Sequence, residues 1–432
     1  MNSSNQNYQP TQKKDRINSL DVIRGIALLG ILLMNINGMG LPFAYGDPTI
    51  AGGSEGANLY VWITNNMLFE GTMRGLFTLL FGAGVILLTS RLEKKGAGIA
   101  TADIYYRRLL WLLLFGIINV YIFLWEGDIL YPYAIFGLLL FPFRNTSSKK
   151  LIIYGLVLLL LGSLWDYSDY QNDLKTQTEG LAALAIQKQG DSLSKDQTTA
   201  LEKWEKKKKK RTPEQVSEEI EKRQKGYWSN VKSKVKTNQL FQTWFVYRYW
   251  PWDLTSFMLI GMAFFKMRIF HGERTSKFYL IMAAVGYLIG LSVNYYETCL
   301  SVSSNFDVMS ISKAGLTYQL GRFFTTMGHV GLFMLFIKSG ILGFLQKALA
   351  AVGKMALTNY LVHSIIAAFL FYGFGFSLFG QLERHELYYI VGGIWIFQLI
   401  YSPIWFKYFQ FGPAEWLWRS LTYKQKQPFK NP

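Results

Sequence analysis

The sequence predicts an all-α membrane protein of about ten transmembrane helices carrying a helical extracytoplasmic insertion. Half of the 432 residues are hydrophobic and 16% are aromatic, and they gather into apolar runs of roughly 15 to 22 residues, the length needed to cross a bilayer. Lysine and arginine concentrate in alternate loops. Residues 167–243 abandon the apolar pattern for Gln, Lys, Glu and Ser.

The first run, 19–38, opens with Asp21 and Arg24, two ionisable residues at the mouth of a membrane helix. Asp21, Arg24, Leu28 and Asn35 recur at helical spacing and share one side of that helix, with Asn18 or Ser19 available as N-cap. A polar stripe facing lipid is costly, so this side should meet other helices or a cavity. Residues 58–69 read as an interfacial helix. Further spans follow at 71–90, which includes Arg74, at 106–124, which opens on Arg107 and Arg108 and holds Asn119, and at 129–143 and 151–166, both short for a core of about 30 Å. Beyond the insertion come 252–270, 278–296, 320–337 with Arg322 and His329, 355–375 with Asn359 and His363, and 388–406.

Ten spans place both termini on one side. With the N-terminus cytoplasmic, the inner segments hold 23 Lys or Arg and the short outer loops only Lys313 and Arg384, the asymmetry of the positive-inside rule. The chain divides into a first bundle (1–166), a soluble insertion (167–243), a second bundle (244–411) and a cytoplasmic amphipathic helix with its tail (412–432). The polar first 15 residues and the absence of a small-residue cleavage pattern after the first run imply that the first helix is retained.

The formal charge of +17 does not indicate nucleic acid, because it lies in loops and in the insertion. Residues 171–240 carry 16 basic against 10 acidic residues, and parity puts them outside the cytoplasm. This segment reads as a mobile helical hairpin over the outer mouth, or, through the run 206–211, as a binder of an anionic headgroup or envelope polymer. The single cysteine, Cys299, excludes a disulfide framework and a cysteine-based metal cluster. No metal site is expected, and the chain offers no HExxH, no nucleophile elbow and no phosphate-cradling glycine loop in a strand-to-helix context. Glycines such as those of 81–85, FGAGV, suit close helix packing.

Ionisable residues at membrane depth mark where chemistry would sit. Arg74, Asp128 and Arg322 fall near the outer interface, either as a substrate cluster or as an ion-pair lock. His329 lies two turns after Arg322, and His363 one turn after Asn359. Each imidazole can serve as a proton-transfer group or simply hydrogen-bond a neighbouring helix. The last segment, 412–423, starts with Pro413 at N1 and pairs Glu415 with Arg419 at i, i+4. Together with Arg24, Arg107 and Arg108 it forms a cationic inner mouth, suited to a phosphate-bearing carrier or to plain anchoring.

Five motifs, in order, carry a resemblance: 19–30 (SLDVIRGIALLG), the glycine-rich 71–84, Arg107-Arg108 followed by Gly127-Asp128-Ile129-Leu130, 355–361 (MALTNYL) and 412–423. They look like the YeiB-like bacterial membrane proteins, a domain-of-unknown-function family, over nearly the whole chain except the insertion. The first helix is also similar to the heparan-glucosaminide N-acetyltransferase-like group, whose members share a Leu-Asp-x-x-Arg-Gly pattern. That resemblance implies a transmembrane acyltransferase-like fold in the bacterial cytoplasmic membrane, an acyl-CoA-like co-substrate, no permanently bound cofactor, and a histidine acting on the acceptor. Relatives carry histidine where Asn119 stands, and an amide cannot act as a general base.

The expected function is therefore acyl transfer to an envelope carbohydrate, lipid or small amine. In it Arg24, Arg107 and Arg108 attract donor phosphates, His363 or His329 is the base, and Asp128 with Arg74 orients the acceptor. A transporter using the same buried charges is the competing class, and a membrane scaffold the third. The bilayer, the donor and an envelope-located acceptor are the expected partners, with no nucleic acid.

Overall fold

The computed structural model describes residues 16–45 and 47–431. These residues are overwhelmingly helical, and among them there is no β-sheet beyond one isolated bridge between Phe409 and Lys430. Helix α1 (Asn18–Gly40) is the central post. Between its first and last turns it is apolar on every face, and Val22, Ile23, Leu28, Leu32 and Ile36 are fully buried, as expected of a helix surrounded by others.

Among the described residues, seven helices are long and apolar enough to cross a membrane. Besides α1 they are α2 with α3 (Gly56–Leu68 and Thr72–Lys94), α4 (Ala100–Tyr121), α6 (Ser148–Lys188), α11 (Ser276–Ser303), α12 with α13 (Val308–Ala314 and Tyr318–Ser339) and α16 (Leu387–Tyr408). Counting α14 (Gly343–Lys354) and α15 (Ala356–Phe371), a pair bent by 81° at Met355, as one span gives eight; the helix expected at 355–375 begins at this bend and runs for 16 residues.

The span expected at 252–270 is not among these helices, and two other expected spans also differ. The stretch 129–143 holds only α5 (Leu130–Leu138), nine residues long, and a 3-10 turn from Phe141 to Asn145. It still carries the chain across, since Asp128 is bonded to Asn119 beside the far end of α4 and Arg144 pairs with Glu93 at the near end of α3. Residues 151–166 are not short at all, because α6 continues unbroken for 41 residues, about 60 Å at 1.5 Å per residue. Its polar half projects beyond the apolar bundle. There α7 (Lys195–Lys208) folds back along it, seating the buried Trp204 against Gly180 and pairing Lys207 with Asp173.

Helices α8 (Pro213–Arg223) and α9 (Tyr227–Leu240) complete the insert and dock on the bundle. Lys234, only 3% exposed, donates to Tyr372 Oη at 2.6 Å and to the Leu124 carbonyl at 2.8 Å. A π-helical turn from Phe241 to Phe245 then leads into α10 (Val246–Lys266), whose Arg248 and Asp253 make its first turns polar.

Close helix approach is encoded by paired glycines. A methyl on Gly82 would lie 1.9 Å from the Met258 carbonyl oxygen, and one on Gly261 would lie 2.0 Å from that of Leu79, so α3 and α10 touch backbone to backbone. This places Gly82 of the FGAGV stretch in the role its sequence suggested.

Candidate functional site: a charged chamber at the insert end

The bundle has two chemically different ends. At the end bearing the termini, Asp21 pairs with Arg24 at 2.9 Å and with Arg16 at 3.9 Å. Helix α17 (Pro413–Tyr423) caps this end. Its Glu415 does not pair with Arg419 as expected. It accepts instead from the Leu357 and Thr358 amides at 2.6 and 3.2 Å and from Thr358 Oγ1 at 2.5 Å. The free amides at the start of α15 are stronger partners for a buried carboxylate than a guanidinium on its own helix. Arg108 lies 3.6 Å over the Trp418 ring, Arg419 sits 4.7 Å over Phe411, and Arg107 donates to the Thr422 carbonyl at 2.8 Å and pairs with Asp103.

The opposite end holds a partly open cavity of about 280 Å³. Its walls come from the end of α1, from α2, from α11 to α13, and from the loop before α16. Helix α2, expected as a surface helix, is one of these walls: Trp62, Asn65 and Asn66 face the chamber.

Two ion pairs brace this end. Arg322, 4% exposed, donates to Glu297 at 2.8 Å and to Asn294 at 2.6 Å. Arg74 pairs with Asp253 of α10, reaches Tyr318 Oη at 3.4 Å and stacks 5.5 Å over Trp250. The expected cluster of Arg74, Asp128 and Arg322 is therefore not one group. Arg74 and Arg322 share Tyr318, whose ring lies 4.5 Å from the Arg322 guanidinium. Asp128, by contrast, caps α5 by accepting from the Tyr131 amide at 2.8 Å, and Asn119 donates to its other oxygen at 2.7 Å. At the position where the resemblance leads one to look for histidine, Asn119 thus fixes a helix cap.

Neither intramembrane histidine lines the chamber. His329 donates from Nε2 to the Leu68 carbonyl at 2.8 Å and accepts at Nδ1 from Tyr287 Oη at 2.7 Å, since a carbonyl can only accept. Its ring joins three segments with both nitrogens engaged. His363 bonds through Nε2 to Gln398 Oε1 at 3.0 Å, Gln398 donates in turn to the Asn359 carbonyl at 3.1 Å, and His363 Nδ1 is buried without a partner among the described residues. Asn359 donates to Ser402 and to the Val352 carbonyl, tying the α14–α15 bend to α16. Asn35 lies outside the chamber lining, and its side-chain nitrogen is buried without a partner among the described residues.

Sequence reading missed the chamber's own charges, Glu70, Glu297 and Arg384, together with the Asp253 partner of Arg74. One signal was available. Arg384 is one of only two cations in the short loops expected outside, and an arginine placed against the charge rule has some other reason to be there.

Among the described residues, no group of three or more His, Cys, Asp or Glu is arranged to hold a metal ion. Fold and site together define a polytopic helical membrane protein with a charged, partly open chamber at one end. The chain belongs to a family of such proteins without assigned function: residues 264–425 match the family described as "Protein of unknown function (DUF418)". It is 30% identical over 442 residues to the uncharacterized protein YxaH of Bacillus subtilis (strain 168), covering 97% of each chain. It is likewise 30% identical over 425 residues to the uncharacterized protein YeiB of Escherichia coli (strain K12), covering 95% of this chain and 97% of that one. No solved structure matches.

Proposed function

We propose that this protein sits in the bacterial cytoplasmic membrane with its termini inside and its insert outside. There it transfers an acyl group from an acyl-CoA-like donor to a small polar acceptor held in the chamber. The chamber carries this reading: it presents a carboxylate, Glu70, that accepts from Tyr318 Oη at 3.0 Å and has no cation within 4 Å among the described residues. A carboxylate so placed is a better base for a chamber-bound hydroxyl or amine than His329, whose nitrogens are both engaged, or His363, which faces Gln398 in close packing.

Support for the rest comes from charge and from the first helix. The loop asymmetry favours this orientation. Arg24, Arg108 and Arg419 suit donor phosphates, and the Leu-Asp-x-x-Arg-Gly start resembles membrane acyltransferases. Thirteen residues of α1 separate Arg24 from Asn37, about 20 Å, a gap that a donor with a long flexible arm would bridge. In the transfer, the acceptor oxygen or nitrogen bonds to the acyl carbon as the carbon–sulfur bond breaks. Glu70 takes the acceptor's proton, and the departing thiolate is protonated to the thiol.

Transport is the second reading, and one observation favours it: the layer between the two charged ends is shut by the fully buried Leu28, Leu32 and Ile36. A site closed toward one side is what alternating access requires. The two are separated with purified protein in nanodiscs supplied with acyl-CoA and a bacterial envelope extract. Acyl transfer predicts acceptor-dependent release of free thiol that falls at least tenfold in Glu70→Gln. Absence of thiol release together with gradient-driven solute uptake by proteoliposomes would replace it with transport.

A further inference from the structure

The ionisable residues around the chamber do not all pair off. Arg74 is matched by Asp253, and Arg322 by Glu297. Glu70 and Arg384 are left over. Arg384 is 2% exposed, yet its partners are the Ala51 and Gly53 carbonyls at 3.1 and 3.4 Å and Asn37 Oδ1 at 3.2 Å, with no carboxylate within 4 Å among the described residues. Among the described residues, Glu70 has only the Tyr318 hydroxyl on its side chain. Both line the same cavity.

A hydrogen-bonded wall holds these two charges apart. Arg384 donates to Asn37, and Asn37 donates to Tyr388 Oη at 3.0 Å. Asn65 donates to the same hydroxyl at 2.8 Å, and the Glu70 amide donates to the Asn65 carbonyl at 2.8 Å. Tyr388 Oη gives its own proton to the Leu33 carbonyl at 2.9 Å, which completes its bonding. The wall therefore cannot collapse to let Arg384 meet Glu70 without breaking several buried bonds, each costly to leave unmade. Two further chamber atoms, Arg322 Nε and Asn65 Oδ1, are buried without partners among the described residues.

Opposite charges kept unmatched in one cavity are the complement of a ligand that carries both signs. We infer that the chamber recognises a zwitterion, a small molecule with an ammonium group for Glu70 and a carboxylate or phosphate for Arg384. A plain anion would satisfy Arg384 but leave the Glu70 charge unmatched beside it, and a plain cation would do the reverse. At about 280 Å³ the chamber lies just below the roughly 300 to 1,000 Å³ of drug-sized sites, so the ligand is of amino-acid or headgroup size. An ammonium on Glu70 also places an amine where acyl transfer needs a nucleophile. The inference rests on the chamber being the acceptor's site and is independent of whether acyl transfer follows.

The test is calorimetric titration of the full-length protein, without donor, with phosphoethanolamine, inorganic phosphate and ethanolamine. Phosphoethanolamine is expected to bind at least tenfold more tightly than either single-charge probe. Glu70→Gln, which keeps an acceptor for Tyr318, should abolish that preference so that phosphate binds as well as phosphoethanolamine. Arg384→Lys should retain the preference, and Arg384→Gln should lose it. Equal binding of phosphate and phosphoethanolamine by the unaltered protein, or an unchanged preference in Glu70→Gln, overturns the inference. Repeating the titration in nanodiscs separates two sources of the same chemistry. Suppression by phosphatidylethanolamine but not by phosphatidylglycerol identifies a lipid headgroup, and equal binding in both identifies a free solute. Zwitterion binding without thiol release would refute the acyl-transfer proposal and leave this one standing.

Discussion

At the end that carries the termini, Arg24, Arg108 and Arg419 are half-buried, beside one aspartate or over Trp418 and Phe411. At the end that carries the insert, Arg322 and Arg384 are almost wholly enclosed. A guanidinium that keeps part of its surface in water costs little to hold and gains modestly from an aromatic ring. An enclosed one must be matched or the fold loses several kcal/mol. The first end is thus explained by anchoring and surface attraction, whereas an enclosed arginine left unmatched, as Arg384 is, needs a reason beyond stability.

The sharpest way to break this contrast is to remove one arginine from each end. Arg322→Ala abandons Glu297 in a buried site and should cost about 3 to 5 kcal/mol, seen as a large fall in thermal unfolding temperature in detergent. Arg108→Ala should cost about 1 kcal/mol. Similar losses at the two ends would show that the distinction drawn from burial is false.

Next in size is His329→Gln. Loss of one or both of its hydrogen bonds should destabilise by about 1 to 3 kcal/mol, while activity per folded molecule stays unchanged. A loss of turnover at full stability would return His329 to the catalytic machinery.

Smaller effects belong to the insert. Glu126 contacts Lys234 at 3.5 Å and Arg223 at 3.7 Å. Burial alone would raise its carboxyl, but these two cations outweigh it and hold it below its ordinary 4.5. A depressed carboxyl contributes stability that is complete above its unfolded value and lost as pH falls through the folded one. Protease cleavage within α8 and α9 should therefore rise on acidification below 4.5, and Glu126→Gln should remove that pH dependence. The smallest change is expected from Lys210, which links Asp47 at 2.8 Å to the Asn305 carbonyl at 3.4 Å across the chamber rim. Lys210→Ala should cost under about 1 kcal/mol yet accelerate ligand exchange, measured by stopped-flow release of a fluorescent zwitterion. Unaltered exchange would mean that the rim does not control access.

Much of the architecture was legible because its cause is local. Apolar runs mark α1, α3, α4, α11, α13 and α16, and Pro413 at N1 marks the start of α17. The expectation failed where length and composition disagreed. Residues 129–143 are apolar but form only a nine-residue helix, whereas the apolar half of α6 is a fraction of its 41 residues. The site was far less legible. Arg74 and Arg322 were identified as outer charges, but their partners Asp253 and Glu297 were not, and Glu415 found backbone amides rather than Arg419.

By itself the sequence determined that this is a helical membrane protein of the YeiB-like kind with cations concentrated in alternate loops, because hydrophobicity and charge density add up along the chain. Only the tertiary structure decided which charges are matched. Arg74 meets Asp253 across 179 positions, and Arg384 reaches Asn37 across 347. Which carboxylate a buried arginine finds depends on which helices become neighbours. The same contacts determine which charges, Glu70 and Arg384 here, are left for a ligand.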